Sequence, residues 1–265
     1  MPEKPYIEAK VRLDLAVHAA HAAGDLLLGM FRGPMRGVSS KTTPTDLVSD
    51  ADRSSEELIL DMLRSERPED GILSEEGGSE HSTSGVIWIV DPLDATVNYL
   101  FGLPWWCVSV AAHDREGALL GVIHNPNSGE TFTAVRGDGA FLDGAPISVS
   151  DRSDISSALV GTGFSYDRAA REQQAAIVAR LLPRVRDIRR AGSAALDLAH
   201  LACGRLDGYY EAPLEPWDRA AGVLMIEEAG GVVSELEAPL GLSTGVVAAN
   251  PKLHDELRRI VDGHH

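Results

Sequence analysis

A short β-branched run, Val86-Ile87-Trp88-Ile89-Val90, ends directly in Asp91-Pro92-Leu93-Asp94-Ala95-Thr96, and no other stretch constrains the chain as much. The five apolar residues read as a strand buried on both faces. Pro92 lacks a backbone donor and pushes Asp91 into extended geometry, so the strand is expected to stop there. Two carboxylates three residues apart are then delivered at a strand end, where both stay ionised only beside a cation. Hard divalent cations, magnesium above all, take such oxygen ligands together with phosphate oxygens. Thr96 follows on what reads as the first turn of a helix, whose free N–H groups suit a phosphate. A proline turn with an Asp cap on the next helix would explain the same residues with no ion at all.

Two further acidic groups sit at element ends. Glu75-Glu76 follow the apolar Gly71-Ile72-Leu73 segment, and Trp217-Asp218 precede a helical run from Arg219 to Ala229. Acids at the ends of separate elements can converge on one metal site. The ordered set Glu75-Glu76, Asp91-Pro92-Leu93-Asp94-Ala95-Thr96-Val97-Asn98 and Trp217-Asp218-Arg219-Ala220-Ala221-Gly222 resembles the inositol monophosphatase family of magnesium-dependent, lithium-sensitive phosphatases. Lys41-Thr42-Thr43-Pro44-Thr45-Asp46-Leu47-Val48 and the segment Gly137 to Pro146 resemble further signatures in the expected order, so the likeness covers nearly the whole chain. One departure stands out: Ala95 occupies a position where the family has glycine.

The resemblance implies a layered α-β-α-β-α sandwich of the sugar phosphatase type, with an N-terminal α+β part and a smaller C-terminal α/β part. It also implies two or three magnesium ions in the site. Asp91 would bridge two of them, roughly 3.5–4 Å apart as in such sites. Glu75 and the Leu93 carbonyl would complete one ion, and Asp94 and Asp218 the other. Asp52 matches the aspartate that pairs with the motif threonine, so Asp52 and Thr96 would orient and deprotonate the attacking water. Asp94, Asp218 and the main chain of Ala95 and Thr96 would meet the phosphate ester. Gly192, Ser193, Ala194 and Glu211 would line the polyol. Read by residue type alone, Asp50 and Asp52 complement a helix dipole, Ser193 is an N-cap and Asp218 a helix cap.

With 24 basic and 40 acidic side chains the formal charge is −16, which opposes binding to nucleic acid or anionic membrane. It also means that a phosphate site needs positive charge from elsewhere. No apolar run is long enough to span a bilayer and no stretch has a signal-peptide layout, which with two cysteines, Cys107 and Cys203, suggests a cytoplasmic protein with buried free thiols.

Along the chain, residues 8–31 and Ser49 to Leu63 read as helices, and the polar Gly77 to Gly85 as a mobile loop within a flap from Leu73 to Val86. Strands follow at Trp105 to Ala112, Leu119 to His124, Thr131 to Val135 and Ala140 to Leu142, the last two joined by the hairpin signal Gly137-Asp138-Gly139. A boundary near Ser150 to Ile155 divides residues 1–150, with most metal ligands, from 151–265, which complete the site. In the second part strands and helices alternate. Gly161-x-Gly163 lacks the third glycine of a dinucleotide fingerprint and is set aside.

The expected activity is hydrolysis of inositol 1-phosphate, or of histidinol phosphate, 3′-phosphoadenosine 5′-phosphate or fructose 1,6-bisphosphate, which relatives use. The partner is a small phosphorylated polyol or sugar, and the resemblance implies a homodimer. A weakly active regulatory binding protein is the alternative of another class, since some bacterial members touch the transcription machinery.

Overall fold

The computed structural model describes residues 4–33, 37–40, 47–238 and 242–263. The signature residues 41–46 and the terminal His264 and His265 lie outside the described residues. Helix α1 (Lys4–Met30) leads through the paired β1 (Ser39–Ser40) and β2 (Leu47–Val48) to α2 (Asp50–Glu66). Then come β3 (Gly71–Ser74), β4 (Gly78–Glu80), β5 (Ile87–Asp94), the short α3 (Thr96–Leu100), β6 (Cys107–Asp114), β7 (Gly117–Asn125), β8 (Glu130–Val135), β9 (Gly139–Leu142) and β10 (Ala145–Pro146). The remaining elements are β11 (Leu159–Thr162), α4 (Arg168–Leu181), β12 (Asp187–Arg189), α5 (Ala194–Ala202), β13 (Gly208–Glu211), α6 (Pro216–Glu228), β14 (Val232–Leu236), β15 (Gly245–Ala249) and α7 (His254–Asp262).

An eight-stranded sheet runs β10-β9-β8-β7-β6-β5-β3-β4, antiparallel except for the parallel β3–β5 pair. A five-stranded sheet runs β12-β11-β13-β15-β14, parallel around β11 and antiparallel around β15. Alternation along the strands assigns each face to its own core. Trp88, Val90, Val108 and Val110 face α1 and α2, while Ile89, Cys107, Ala111 and Ile123 face α5 and α6. The inner face of the second sheet, through Tyr209, Val246 and Ala248, closes on the same two helices. Its outer face, with Val160, Tyr210 and Val247, packs on Leu181 of α4 and Leu257 of α7. The chain thus forms the α-β-α-β-α sandwich. The alanine-rich α5 and α6 make the middle layer, and small side chains let two sheets approach them from opposite sides.

Two local expectations are corrected. Strand β5 does not stop at Pro92 but continues to Asp94. The ladder absorbs the proline in a bulge: Asp91 pairs with Ser109 and Asp94 with Cys107, three steps on β5 against two on β6. The second concerns the loop reading of Gly77 to Gly85, of which Gly78–Glu80 form the edge strand β4 antiparallel to β3 while 81–85 stay a loop. Gly78 takes φ +81°, and the Glu56 carboxylate accepts from the Glu76 and Gly77 N–H groups at 3.0 Å each, which holds the turn. No described helix is long and apolar enough to cross a membrane.

Candidate metal and phosphate site

The bulge of β5 decides the geometry, because it keeps both aspartates buried at the edge of the middle layer. Asp91 is 1% exposed and Asp94 7%. The Asp91 Oδ1 accepts from Leu93 N at 3.1 Å, and the buried Ser55 hydroxyl donates to the Pro92 carbonyl at 2.7 Å, so the turn is braced from its own side chain and from α2. Glu75 is placed beside Asp91 by the parallel β3–β5 pairing, with Glu75 N donating to the Val90 carbonyl at 3.2 Å. Asp218 enters from the first turn of α6, where its Oδ2 accepts from Glu215 N at 2.6 Å.

These acids repel one another. Burial first, then the charges of Glu75, Asp94 and Asp218, hold the Asp91 carboxyl well above the usual carboxylate range. Asp218 is pushed up by burial and by Asp94 and Glu75, against the opposing Glu215 N–H. Burial also raises Asp94, opposed by hydrogen bonds from Ser193, Ala195 and Cys107. Among the described residues no lysine or arginine forms an ion pair with Asp91, Asp94 or Asp218. Nor do three described acid, histidine or cysteine side chains close into a preformed cage. Hard oxygen donors, buried or half-buried and mutually repelling, fit magnesium, which keeps waters and phosphate oxygens among its ligands and rarely uses an all-protein cage.

Asp52 is fully buried at the start of α2. Its Oδ2 accepts from Ser49 N (2.8 Å) and Ser49 Oγ (2.6 Å), a capping box, and its Oδ1 accepts from Thr96 Oγ1 at 2.7 Å. The capping role and the pairing with Thr96 therefore coexist, one oxygen each. Because the Thr96 hydrogen points to Asp52, the threonine lone pairs are left to accept from a water. The Leu93 carbonyl lies 3.2 Å from the same hydroxyl. Between these groups Ala95 adopts φ 75° and ψ 48°, the left-handed region that glycine enters freely and alanine does not.

The second sheet supplies the other wall. Ser193 donates to Asp94 Oδ2, and Ala195 N does so at 2.9 Å, so the N-terminus of α5 is aimed at that carboxylate. Glu211, at the end of β13, lies against Gly163, where a Cβ would come 2.0 Å from the carboxyl group. The glycine set aside as a weak nucleotide signal thus makes room for an acid. Burial pushes the Glu211 carboxyl up to about 7, against the Tyr209 hydroxyl that donates to it and the Arg190 charge. Gly192 takes φ +100° next to Asn98, whose Nδ2 donates to the Trp105 carbonyl (2.7 Å) and the Ala191 carbonyl (3.0 Å).

Glu75, Asp91, Asp94, Asp218 and Glu211 thus lie close enough for their charges to act on one another, Ser193 holds Asp94, and Thr96 ties Asp52 of α2 to the same turn. Sequence reasoning gave no role to Tyr209, Asn98 or Asp197, the last a buried acid raised by burial and by Glu211 and Asp94. It read Cys107 simply as a buried free thiol, and its Sγ in fact lies 3.6 Å from Asp94 Oδ2. Tyr209 lies two residues from Glu211 and Cys107 thirteen from Asp94, but only the assembled layers bring their side chains together.

Comparison with known proteins follows the same outline. The model of the Inositol monophosphatase family matches residues 9–265. An inositol-1-monophosphatase from Synechocystis is 39% identical over 249 residues, covering 92% of this chain and 86% of the relative. The Nus factor SuhB of Escherichia coli K12 is 38% identical over 248 residues, covering 91% and 92%. The solved inositol monophosphatase from Anabaena superposes with a TM-score of 0.83 at 38% identity, covering 97% of both chains.

Proposed function

Since the chain belongs to the inositol monophosphatase family and is a phosphomonoesterase, we propose that it hydrolyses inositol 1-phosphate to inositol and phosphate with magnesium. The observation that carries the reading is Asp91, a fully buried carboxyl surrounded by Glu75, Asp94 and Asp218 with no described cation beside it. Asp91, Glu75 and the Leu93 carbonyl, with Asp94 and Asp218, would hold two or three magnesium ions. Bound there, magnesium supplies the positive charge that draws in phosphate oxygens, acidifies water and stabilises the leaving oxygen.

The chain's own groups do the rest. Thr96 accepts a hydrogen bond from the attacking water and passes the demand for its proton to Asp52. The Ala95 and Thr96 N–H groups receive phosphate oxygens; alanine keeps that amide, so the departure from glycine changes the strain of the loop and leaves the donor. Glu211, held by Tyr209, accepts from a ring hydroxyl, and the main chain at Gly192 and Ala194 borders the ring. We read residues 1–150 and 151–265 as two domains meeting at this seam. Lithium sensitivity, a homodimer and a cytoplasmic setting belong to the same reading.

Turnover measured side by side on inositol 1-phosphate, histidinol phosphate, 3′-phosphoadenosine 5′-phosphate and fructose 1,6-bisphosphate tests the substrate. Preference for inositol 1-phosphate is expected, and preference for any other moves the assignment within the family. The relatives called Nus factor SuhB, together with the strained Ala95, favour a second reading as a weakly active regulatory protein. Absence of both magnesium binding and phosphomonoester hydrolysis would transfer the assignment to it.

A further inference from the structure

Ser193 stands in the sequence motif as a residue lining the polyol, but its hydroxyl is already engaged. It is 1% exposed, donates its single hydrogen to Asp94 Oδ2 and accepts from Leu196 N at 3.2 Å as the cap of α5. A hydroxyl has one hydrogen to give. The same Asp94 oxygen accepts from Ala195 N at 2.9 Å and lies 3.6 Å from Cys107 Sγ, which is itself 3.7 Å from the Ser193 hydroxyl. Oδ2 is thereby saturated from two directions, the start of β6 and the N-terminus of α5. Only Oδ1 remains for the acid cluster. The loop that delivers Ser193 is in turn tied to α3 through the Asn98 amide on the Ala191 carbonyl.

We propose that Ser193, seconded by Cys107, is a positioning residue for Asp94: its hydroxyl aims one carboxylate oxygen at the cation site and makes no contact with the polyol. The inference rests on Asp94 being a cation ligand, as in the reading above. It extends that reading by assigning the Ser193 hydroxyl to cation affinity and by giving the buried Cys107 thiol a function. Partners that orient a ligating carboxylate typically change metal affinity by about 10–100-fold when removed. Cys107, a weak and longer donor, should contribute less.

The test is magnesium binding to the metal-free full-length protein, by titration calorimetry and by the magnesium-dependent rise in melting temperature. The proteins compared are wild type and Ser193→Ala, Ser193→Thr and Cys107→Ala. Expected results are about tenfold weaker magnesium binding in Ser193→Ala, recovery in Ser193→Thr, and two- to threefold weakening in Cys107→Ala. In turnover, Ser193→Ala should need more magnesium for half-maximal rate while its KM for inositol 1-phosphate at saturating magnesium stays within about twofold of wild type. Wild-type magnesium affinity in Ser193→Ala, or a raised KM that magnesium does not relieve, overturns the proposal. If Ser193→Ala does not fold, Cys107→Ala decides: weakened magnesium binding supports the positioning of Asp94 and unchanged binding refutes it. Failure of the wild-type protein itself to bind magnesium would instead strike the underlying reading of Asp94.

Discussion

Replacing Ala95 by glycine should raise stability slightly, and replacing it by valine should lower it clearly. Ala95 sits at φ 75°, ψ 48°, where an L-residue costs about 1–2 kcal/mol. Glycine removes that cost but loosens the unfolded chain by about 0.4–1 kcal/mol. It also deletes a partly buried methyl that packs beside the Trp88 and Leu93 core, worth less than the ~0.8 kcal/mol of a fully buried methylene. The net gain is of order 0.5 kcal/mol, or about 1–2 °C in melting temperature for a chain of this size. Valine keeps the backbone penalty and adds a second branch where branched residues are true outliers, a loss of at least ~1 kcal/mol and a drop of about 2–4 °C. Differential scanning calorimetry of the three metal-free proteins measures both signs at once. A glycine variant that melts several degrees lower, or a valine variant that matches wild type, would show that Ala95 is not left-handed. The same glycine variant should turn over at least as fast as wild type, since the amide stays and the loop relaxes.

Thr96→Val removes the hydroxyl that donates to Asp52 at 2.7 Å, and single-turnover rates at saturating magnesium should fall about 10²–10⁴-fold with the fold intact by circular dichroism. Glu211→Gln should raise the KM for inositol 1-phosphate about tenfold, the scale of one charge-assisted hydrogen bond, and should abolish any step in KM near pH 7 that the wild type shows. Metal-free protein should also respond to pH. Asp91, Asp218 and Glu211 all have carboxyl groups raised above their unfolded values, so the native state holds more protons than the unfolded chain and stability falls as pH rises. For Glu211 that loss runs from about pH 4.5 to about pH 7. The buried His124 and half-buried His200, both held down to about 4, work the other way up to about pH 6.5. Melting curves between about pH 7 and about pH 8 therefore isolate the acids, and magnesium should flatten the fall by making the ionised forms favourable. A melting temperature that climbs across that interval without metal would contradict the raised acids.

Much of this was legible because the informative residues sit at element ends. The apolar run before Asp91, the hairpin signal at Gly137-Asp138-Gly139 and the strand–helix alternation beyond residue 150 all follow local rules of period and turn chemistry, and they correspond to β5, the β8–β9 turn and the second sheet with its helices. Pro92 misled because the strand rule takes no account of a bulge, which lets a strand pass through a proline when its partner skips a step. The polar composition of Gly77 to Gly85 hid β4, since an edge strand needs no apolar face and here depends on Glu56, twenty residues upstream of the turn. Tyr209 and Glu211 lie close in sequence, but their hydrogen bond depends on the space left by Gly163. The Cys107–Asp94–Ser193 contacts join residues up to 99 positions apart and are a property of the assembled layers.

The most direct test of the central claim is phosphate release from inositol 1-phosphate, with and without magnesium, by wild type and Asp91→Asn. Asparagine matches the carboxyl in shape and removes its charge from the middle of the acid cluster. Magnesium-dependent turnover in wild type that disappears in Asp91→Asn, while the variant remains folded, is the predicted result. Turnover that needs no magnesium, or an Asp91→Asn protein as active as wild type, would contradict the account.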